Sequence, residues 1–195
     1  MRDYVIQVGR NNTVDIQKFG DTVVITEKPN NVMKIAVVRD VKVPTRGTSK
    51  SAGLDFYVPN EYNGINKLLP GTDLLIPSGI IANIPEGYML MSADKSGMAS
   101  SATAKHMCGM QVKPDMQDTS IVVGAKICDE DYQGEIHMHI INCGRGNFIV
   151  KPGMKLVQFI LVPIMYADIE VVDKNDLFES ATERGSGGFS STGIK

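Results

Sequence analysis

Tryptophan is absent from this 195-residue chain, and cysteine occurs only three times, as Cys108, Cys128 and Cys143. The cysteines are odd in number and never spaced C-x-x-C, which argues against both a disulfide framework and a structural zinc site. A reduced, cytoplasmic protein is the expectation, in the host cytoplasm if the source is a phage or virus. Long apolar runs are missing too, and no N-terminal h-region precedes a small-residue cleavage site, so neither a membrane span nor export is expected. An excess of positive charge is also lacking. Lys and Arg number 20 against 22 Asp and Glu, a formal charge of -2. Such a balance excludes a broad nucleic-acid or anionic-membrane surface and predicts no stable nucleic-acid binding. A phosphate-bearing ligand would have to be held by a few chosen donors.

Sustained helical periodicity is the last absence, and strand character takes its place. Residues 4–8, 13–19 and 22–26 form three short runs, the last two joined by Gly20-Asp21, a two-residue hairpin signal. Residues 1–31 therefore read as an N-terminal β-meander extension. From residue 32 to 182, runs at 33–39, 52–58, 74–76, 80–84, 88–92, 121–128, 134–141, 147–150, 156–162 and 167–172 alternate with Gly, Pro and Asn punctuation. Many short strands at this spacing predict an all-β sandwich, jelly roll or barrel. One stretch, residues 100–117, breaks the rhythm and reads as a short helix followed by a loop.

Residues 127–136 hold the densest chemistry. Apolar Ile127 and Cys128 run into Asp129-Glu130-Asp131, and Tyr132-Gln133-Gly134 turns the chain into an alternating strand. This predicts a β-hairpin with carboxylates at its tip. Pairing it about its centre sets Asp129 opposite Gly134 and Lys126 opposite His137. A flat polar ring could be held there by main-chain groups beside a carboxylate. Residues 183–193 are Gly- and Ser-rich, the composition of a flexible tail, yet carry Arg184 and Phe189. An Arg forks onto phosphate and an aromatic ring stacks on a base.

Five motifs in order now make a specific resemblance. Ser51-Ala52-Gly53-Leu54-Asp55-Phe56-Tyr57, Lys95-Ser96-Gly97-Met98-Ala99, Asp129-Glu130-Asp131-Tyr132-Gln133-Gly134-Glu135, Pro152-Gly153-Met154-Lys155-Leu156-Val157-Gln158 and the stretch from Arg184 to Gly193 resemble those of the trimeric dUTP pyrophosphatases (dUTPases). The resemblance implies a distorted jelly-roll, or β-clip, domain over residues 32–182, with an insertion near 100–117 and a C-terminal arm, 183–195, that closes an active site. It implies a homotrimer with shared sites that hydrolyses dUTP to dUMP and diphosphate with Mg²⁺, which limits uracil incorporation into DNA and supplies dUMP.

By the same resemblance Asp129 is the base that takes a proton from the attacking water. Lys95, Ser96, Gly97, Gln158, Arg184, Ser190 and Ser191 match the phosphate-binding positions, and Asp55 matches one that reaches the metal through water. Main-chain groups at Lys126 and His137 would bind uracil, with Ile127 and Cys128 beside them. Tyr132 would pack under the deoxyribose, and Phe189 would close over the base. Glu130 and Asp131 read as solvated turn residues, and Cys128 as a small filler rather than a nucleophile.

Departures from the family pattern are also visible. Lys95 stands for Arg, which turns a bidentate fork into a point charge. Met154 and Lys155 replace Asp and Arg, which removes a familiar ion pair. His137 and His139 form an H-x-H on one strand face; with no third ligand evident, core or subunit packing is preferred to zinc. Two rivals remain: a dCTP deaminase of the same fold, which would need a Glu where His139 stands, and a non-catalytic nucleotide-sensing regulator with the insertion as its partner surface.

Overall fold

The structure, a computed structural model, describes residues 12–19, 22–29, 32–100, 107 and 118–186. Its named regular elements are strands, with the exception of a helical turn, α1 (Ser96–Ala99). β1 (Asn12–Phe19) and β2 (Thr22–Pro29) pair antiparallel in a register that closes at Phe19 and Thr22, as a two-residue connection requires. Residues 4–8, also expected to form a strand, lie outside the described residues, as does nearly all of 101–117.

The remaining strands are β3 (Lys34–Val37), β4 (Leu54–Tyr57), β5 (Lys67–Leu68), β6 (Asp73–Pro77), β7 (Ile80–Asn83), β8 (Tyr88–Asp94), β9 (Ile121–Val123), β10 (Ile127–Cys128), β11 (His137–Asn142), β12 (Phe148–Ile149) and β13 (Lys155–Pro163). They assemble as a four-stranded sheet in the order β10-β8-β13-β4, a three-stranded sheet β6-β11-β9, and the pairs β12-β5 and β3-β7. Every pairing is antiparallel.

Alternation along the strands builds the core. In β11 the pattern sends Met138, Ile140 and Asn142 inward and leaves the residues between them less buried. Phe56, Ile76, Leu90, Met138, Ile140, Phe148 and Val157 are fully buried, and the rings of Phe56 and Phe159 pack tilted with centroids 4.5 Å apart. Asn142 is the polar exception. Its amide donates to the carbonyls of Leu68 and Gly146, and its oxygen accepts from the Gly144 N–H, so no polar group is stranded. A register shift in β13, where Lys155 pairs with Tyr57 but Val157 with Phe56, lets adjacent Leu156 and Val157 both turn inward.

Two expectations fail here. Residues 167–172 form no strand. Ile169 and Val171 are over 90% exposed, and β-forming residues without a partner ladder have nothing to hold them extended. The hairpin of residues 127–136 is likewise not a paired hairpin. β10 pairs with β8, whereas β11 pairs with β6 and β9, so its two arms belong to different sheets. The chain divides after Ile164 into two compact units. No helix among the described residues is long and apolar enough to cross a membrane.

Candidate active site

The divergence of those two arms makes a cavity. Backbone groups of an antiparallel strand point alternately to its two neighbours. Ile136 and Asn142 bond toward the β6 side, through Ser78, Ile80, Gly71 and Thr72; His139 and Cys143 bond toward β9, through Gly124 and Ser120. The β9–β11 ladder can be followed from Asn142↔Ile121 to Ile140↔Val123 and, by the Gly124 N–H to His139 C=O bond of 3.0 Å, one step further. Continued by two more residues it would join Lys126 to His137. There the ladder opens, because the next residues turn away to pair Ile127 with Met91 and Cys128 with Leu90. The alternation leaves the His137 N–H and C=O directed into the gap.

That gap is a cavity of about 290 Å³ lined by Leu75, Ala125, Lys126, Ile127, Cys128, Asp129, Tyr132, Ile136, His137, His139 and Phe159. All six of the base, sugar and proton-acceptor candidates around the turn therefore share one space: Lys126, Ile127, Cys128, Asp129, Tyr132 and His137. A wider cavity of about 490 Å³ lies on the β3–β7 side and shares only Tyr132 among these six; it lacks both Asp129 and the open ladder. Burial, and then the charge of Asp129, push the Cys128 thiol upward, so it stays protonated and a poor nucleophile.

The turn itself is braced. The Tyr132 hydroxyl donates to the Glu135 carbonyl at 3.0 Å, and its ring lies so close to Gly134 that a Cβ there would meet the hydroxyl at 2.4 Å. Glu130 is not merely solvated, as its sequence context implied. It accepts the Gly87 N–H at 2.5 Å, tying the turn to the start of β8. Glu135 accepts both arms of Arg39, at 2.7 and 2.9 Å, and the Gly79 N–H at 2.7 Å. The Arg39 hydrogen bond is the main reason its carboxyl is held below the usual range; burial opposes and Gly79 assists.

Opposite the diverging arm, buried Ser92 fixes the wall. Its N–H donates to the Lys126 carbonyl and its hydroxyl to the Ala125 carbonyl, both at 2.7 Å. His139 completes the bracing: its Nδ1 accepts the Ala125 N–H at 2.9 Å, and Nε2 faces Asp73 Oδ2 at 3.0 Å. With both ring nitrogens engaged, a zinc ligand is not what His139 is. Ser92, Gly124, Ala125 and Asp73 escaped sequence reasoning, because nothing in a Ser on a strand or an Asp at a strand start distinguishes them.

The phosphate candidates gather elsewhere. Asp55, buried on β4, pairs with Lys95 through Oδ1 and with Lys155 through Oδ2 at 3.2 Å. Burial alone would raise the Asp55 carboxyl, but the two lysines outweigh it and lower it. The same bond raises Lys155. The replacement by Lys155 therefore supplies an ion pair where the sequence suggested one was lost. Gln158 donates from Nε2 to the Asp94 carbonyl at 2.8 Å, packed against Gly53. Ser96 and Gly97 follow Lys95 in α1. None of these residues lines the 290 Å³ cavity. Arg184 is an exposed turn residue of the second unit, and Phe189, Ser190 and Ser191 lie outside the described residues. Among the described residues no three His, Cys, Asp or Glu side chains form a metal cage.

Comparison with known proteins gives a consistent picture. A family model described as dUTPase matches residues 39–193. A deoxyuridine 5'-triphosphate nucleotidohydrolase of Chlamydia pneumoniae is 40% identical over 126 residues, 65% of this chain and 74% of its own. Another, of Maricaulis maris, is 35% identical over 153 residues, 78% of this chain and 88% of its own. Among solved structures, a Staphylococcus bacteriophage 80alpha dUTPase with dUPNHPP superposes with TM-score 0.66 at 21% identity, over 84% of this chain and 99% of its own. A mutant dUTPase from phage phi11 of S. aureus, described with a structural Mg(II) ion, has TM-score 0.58 at 19% identity, over 74% and 98%. The all-β, jelly-roll-like fold is common to them.

Proposed function

The chain belongs to the dUTPase family, and from that premise we propose that the gap between Lys126 and His137 takes the base of dUTP while Asp129 serves the hydrolysis. The chemistry is conversion of dUTP and water to dUMP and diphosphate. The single observation that supports the site is the open ladder: the His137 N–H and C=O look onto the main chain at Lys126 across an unclosed rung, the Lys126 carbonyl being held by Ser92, with a carboxylate at the rim. Uracil offers an edge of alternating acceptor, donor and acceptor. The N–H and C=O of His137 and the main chain at Lys126 can meet it as a partner strand would. Cytosine presents another order and would leave a buried group unpaired, which supports discrimination against dCTP.

In this reading Asp129 accepts the proton of the attacking water as its oxygen bonds to phosphorus. The link between the α- and β-phosphates breaks, and diphosphate leaves. Tyr132, held by the Glu135 carbonyl, lies under the sugar and leaves little room for a ribose 2′-hydroxyl. Lys95, Ser96, Gly97 and Gln158 receive the phosphates with Arg184, Ser190 and Ser191, and Phe189 covers the ring. Because Lys95 and Gln158 do not reach the cavity of their own chain, the complete site draws on neighbouring copies in a homotrimer.

Asp55 already serves two lysines, so the described residues fit magnesium only as an ion carried in on the triphosphate and water. When bound, it neutralises phosphate charge. A cytoplasmic place, acting on the free nucleotide pool, is proposed with it; the unpaired thiols of Cys128 and Cys143 support a reducing compartment. Diphosphate release from dUTP, compared with dCTP, dTTP and UTP with and without Mg²⁺, tests the proposal. Turnover should be confined to dUTP and depend on Mg²⁺. Equal turnover of dCTP, or ammonia release from it, would reject it.

A further inference from the structure

His139 reaches from β11 across the opening ladder to Ala125 on the opposite wall. A backbone N–H can only donate, so the 2.9 Å contact of the Ala125 N–H makes Nδ1 an acceptor and therefore unprotonated. The remaining ring proton sits on Nε2 and points at Asp73 Oδ2, 3.0 Å away. This pair is thus a neutral N–H donating to a carboxylate, with Asp73 fixing the tautomer. The ring packs against Gly124, where a Cβ would come within 2.4 Å of both Cε1 and Nδ1. Two residues at the same break in the ladder, a His and a side-chain-free Gly, are therefore fitted to each other.

The consequence falls on Lys126. With the Ala125 N–H held by His139, the Ala125 carbonyl by the Ser92 hydroxyl and the Lys126 carbonyl by the Ser92 N–H, three successive peptide units approaching the gap are each held through one group. Ala125 lies opposite Met138, a position that makes no bond in this ladder, so His139 gives the residue next to the open rung a partner it would otherwise lack on that side. We infer that His139 is a positioning residue for base recognition: its side chain pins Ala125, the residue beside the open rung, and so sets the width of the slot between Lys126 and His137. This rests on the slot being the base site, but adds a side chain outside the base, sugar, phosphate and proton-acceptor sets.

The test uses the full-length protein with dUTP as substrate and dUMP as ligand. Asn at position 139 keeps an acceptor near Nδ1, whereas Gln places its polar end near Nε2, and Val keeps neither. His139→Val and His139→Gln should raise KM for dUTP by about tenfold, the scale of one lost hydrogen bond, with kcat within about twofold. His139→Asn should restore KM to within about threefold of the parent. Gly124→Ala, which pushes the ring away without altering it, should match His139→Val. Amide hydrogen exchange at Ala125 should quicken in His139→Val and slow again in His139→Asn.

An Asn variant as impaired as Val, or a loss confined to kcat, would overturn the role. A Val variant that fails to fold moves the decision to Gly124→Ala, where an unchanged KM overturns it equally. Protection of the Lys126 and His137 amides by dUMP in the parent protein is measured alongside. If that protection is absent, the base slot itself is wrong; if it is present while KM is unchanged in the Val variant, only the role of His139 falls.

Discussion

At Asp129 the expected effect is kinetic. The side chain lines the cavity proposed for the base, whereas Glu130 and Glu135 on the same turn bind backbone N–H groups of neighbouring segments. Asp129→Asn should therefore leave dUMP affinity near that of the parent and reduce kcat by about 10²- to 10⁴-fold, the usual contribution of a positioned base. Single-turnover kinetics and calorimetric titration would separate the two. Glu135 is expected to behave oppositely. Its folded carboxyl is depressed below the unfolded value, chiefly by Arg39, so its stabilisation is present above the ordinary carboxylate range and is lost as pH falls through the folded value. Glu135→Gln should lower stability at neutral pH and make the acid limb of a denaturation series shallower, because the variant has no proton to gain there.

Among the elements, β11 does most to define the site. Its inward residues build the core, its backbone alternates between β6 and β9, and at His137 the alternation runs out into open space. Much of this was legible in the sequence. The facing of Lys126 and His137 follows from simple two-residue counting, and the carboxylates on the turn announce themselves. What could not be read was that the arms belong to different sheets, because Ile127 and Cys128 carry no mark saying whether they pair with β11 or with β8. The choice is made by long-range partners, Met91 and Leu90, about 37 residues away by register. Likewise the H-x-H at 137 and 139 was visible as a pair. Its division of labour was not: His137 is exposed with Nδ1 donating to the Glu135 carbonyl, whereas His139 bridges Ala125 and Asp73. Lys155 shows the same limit, since only the fold brings it and Lys95 to one carboxylate.

The molecule taken whole presents residues 165–186 entirely exposed, and Met165, Ile169, Val171 and Phe178 are large apolar side chains among them. An unburied apolar run of this kind calls for a covering surface, and a second copy of the chain is the one the homotrimer proposal supplies. Light scattering should give three times the mass of the 21.2 kDa chain. Truncation after Glu183 should preserve that mass while lowering kcat/KM for dUTP by at least about tenfold, since an arm carrying Arg184 and Phe189 is removed. Loss of the assembly on that truncation, or an unaffected rate, would contradict the division of labour between the exposed run and the terminal motif.

The parted strands have a thermodynamic side as well. A sheet left unzipped for one rung is a native state with a vacancy in its own scaffold, and whatever completes that rung binds the folded chain and not the unfolded one. On the proposed reading the nucleotide would act as a ligand of folding, raising the unfolding free energy by about 2.7 kcal/mol at a concentration of 100 Kd. A melting curve should climb with dUMP and stay flat with dCMP. The protein would be sturdiest where its product accumulates, so that resistance to unfolding reports the state of the pool it acts upon.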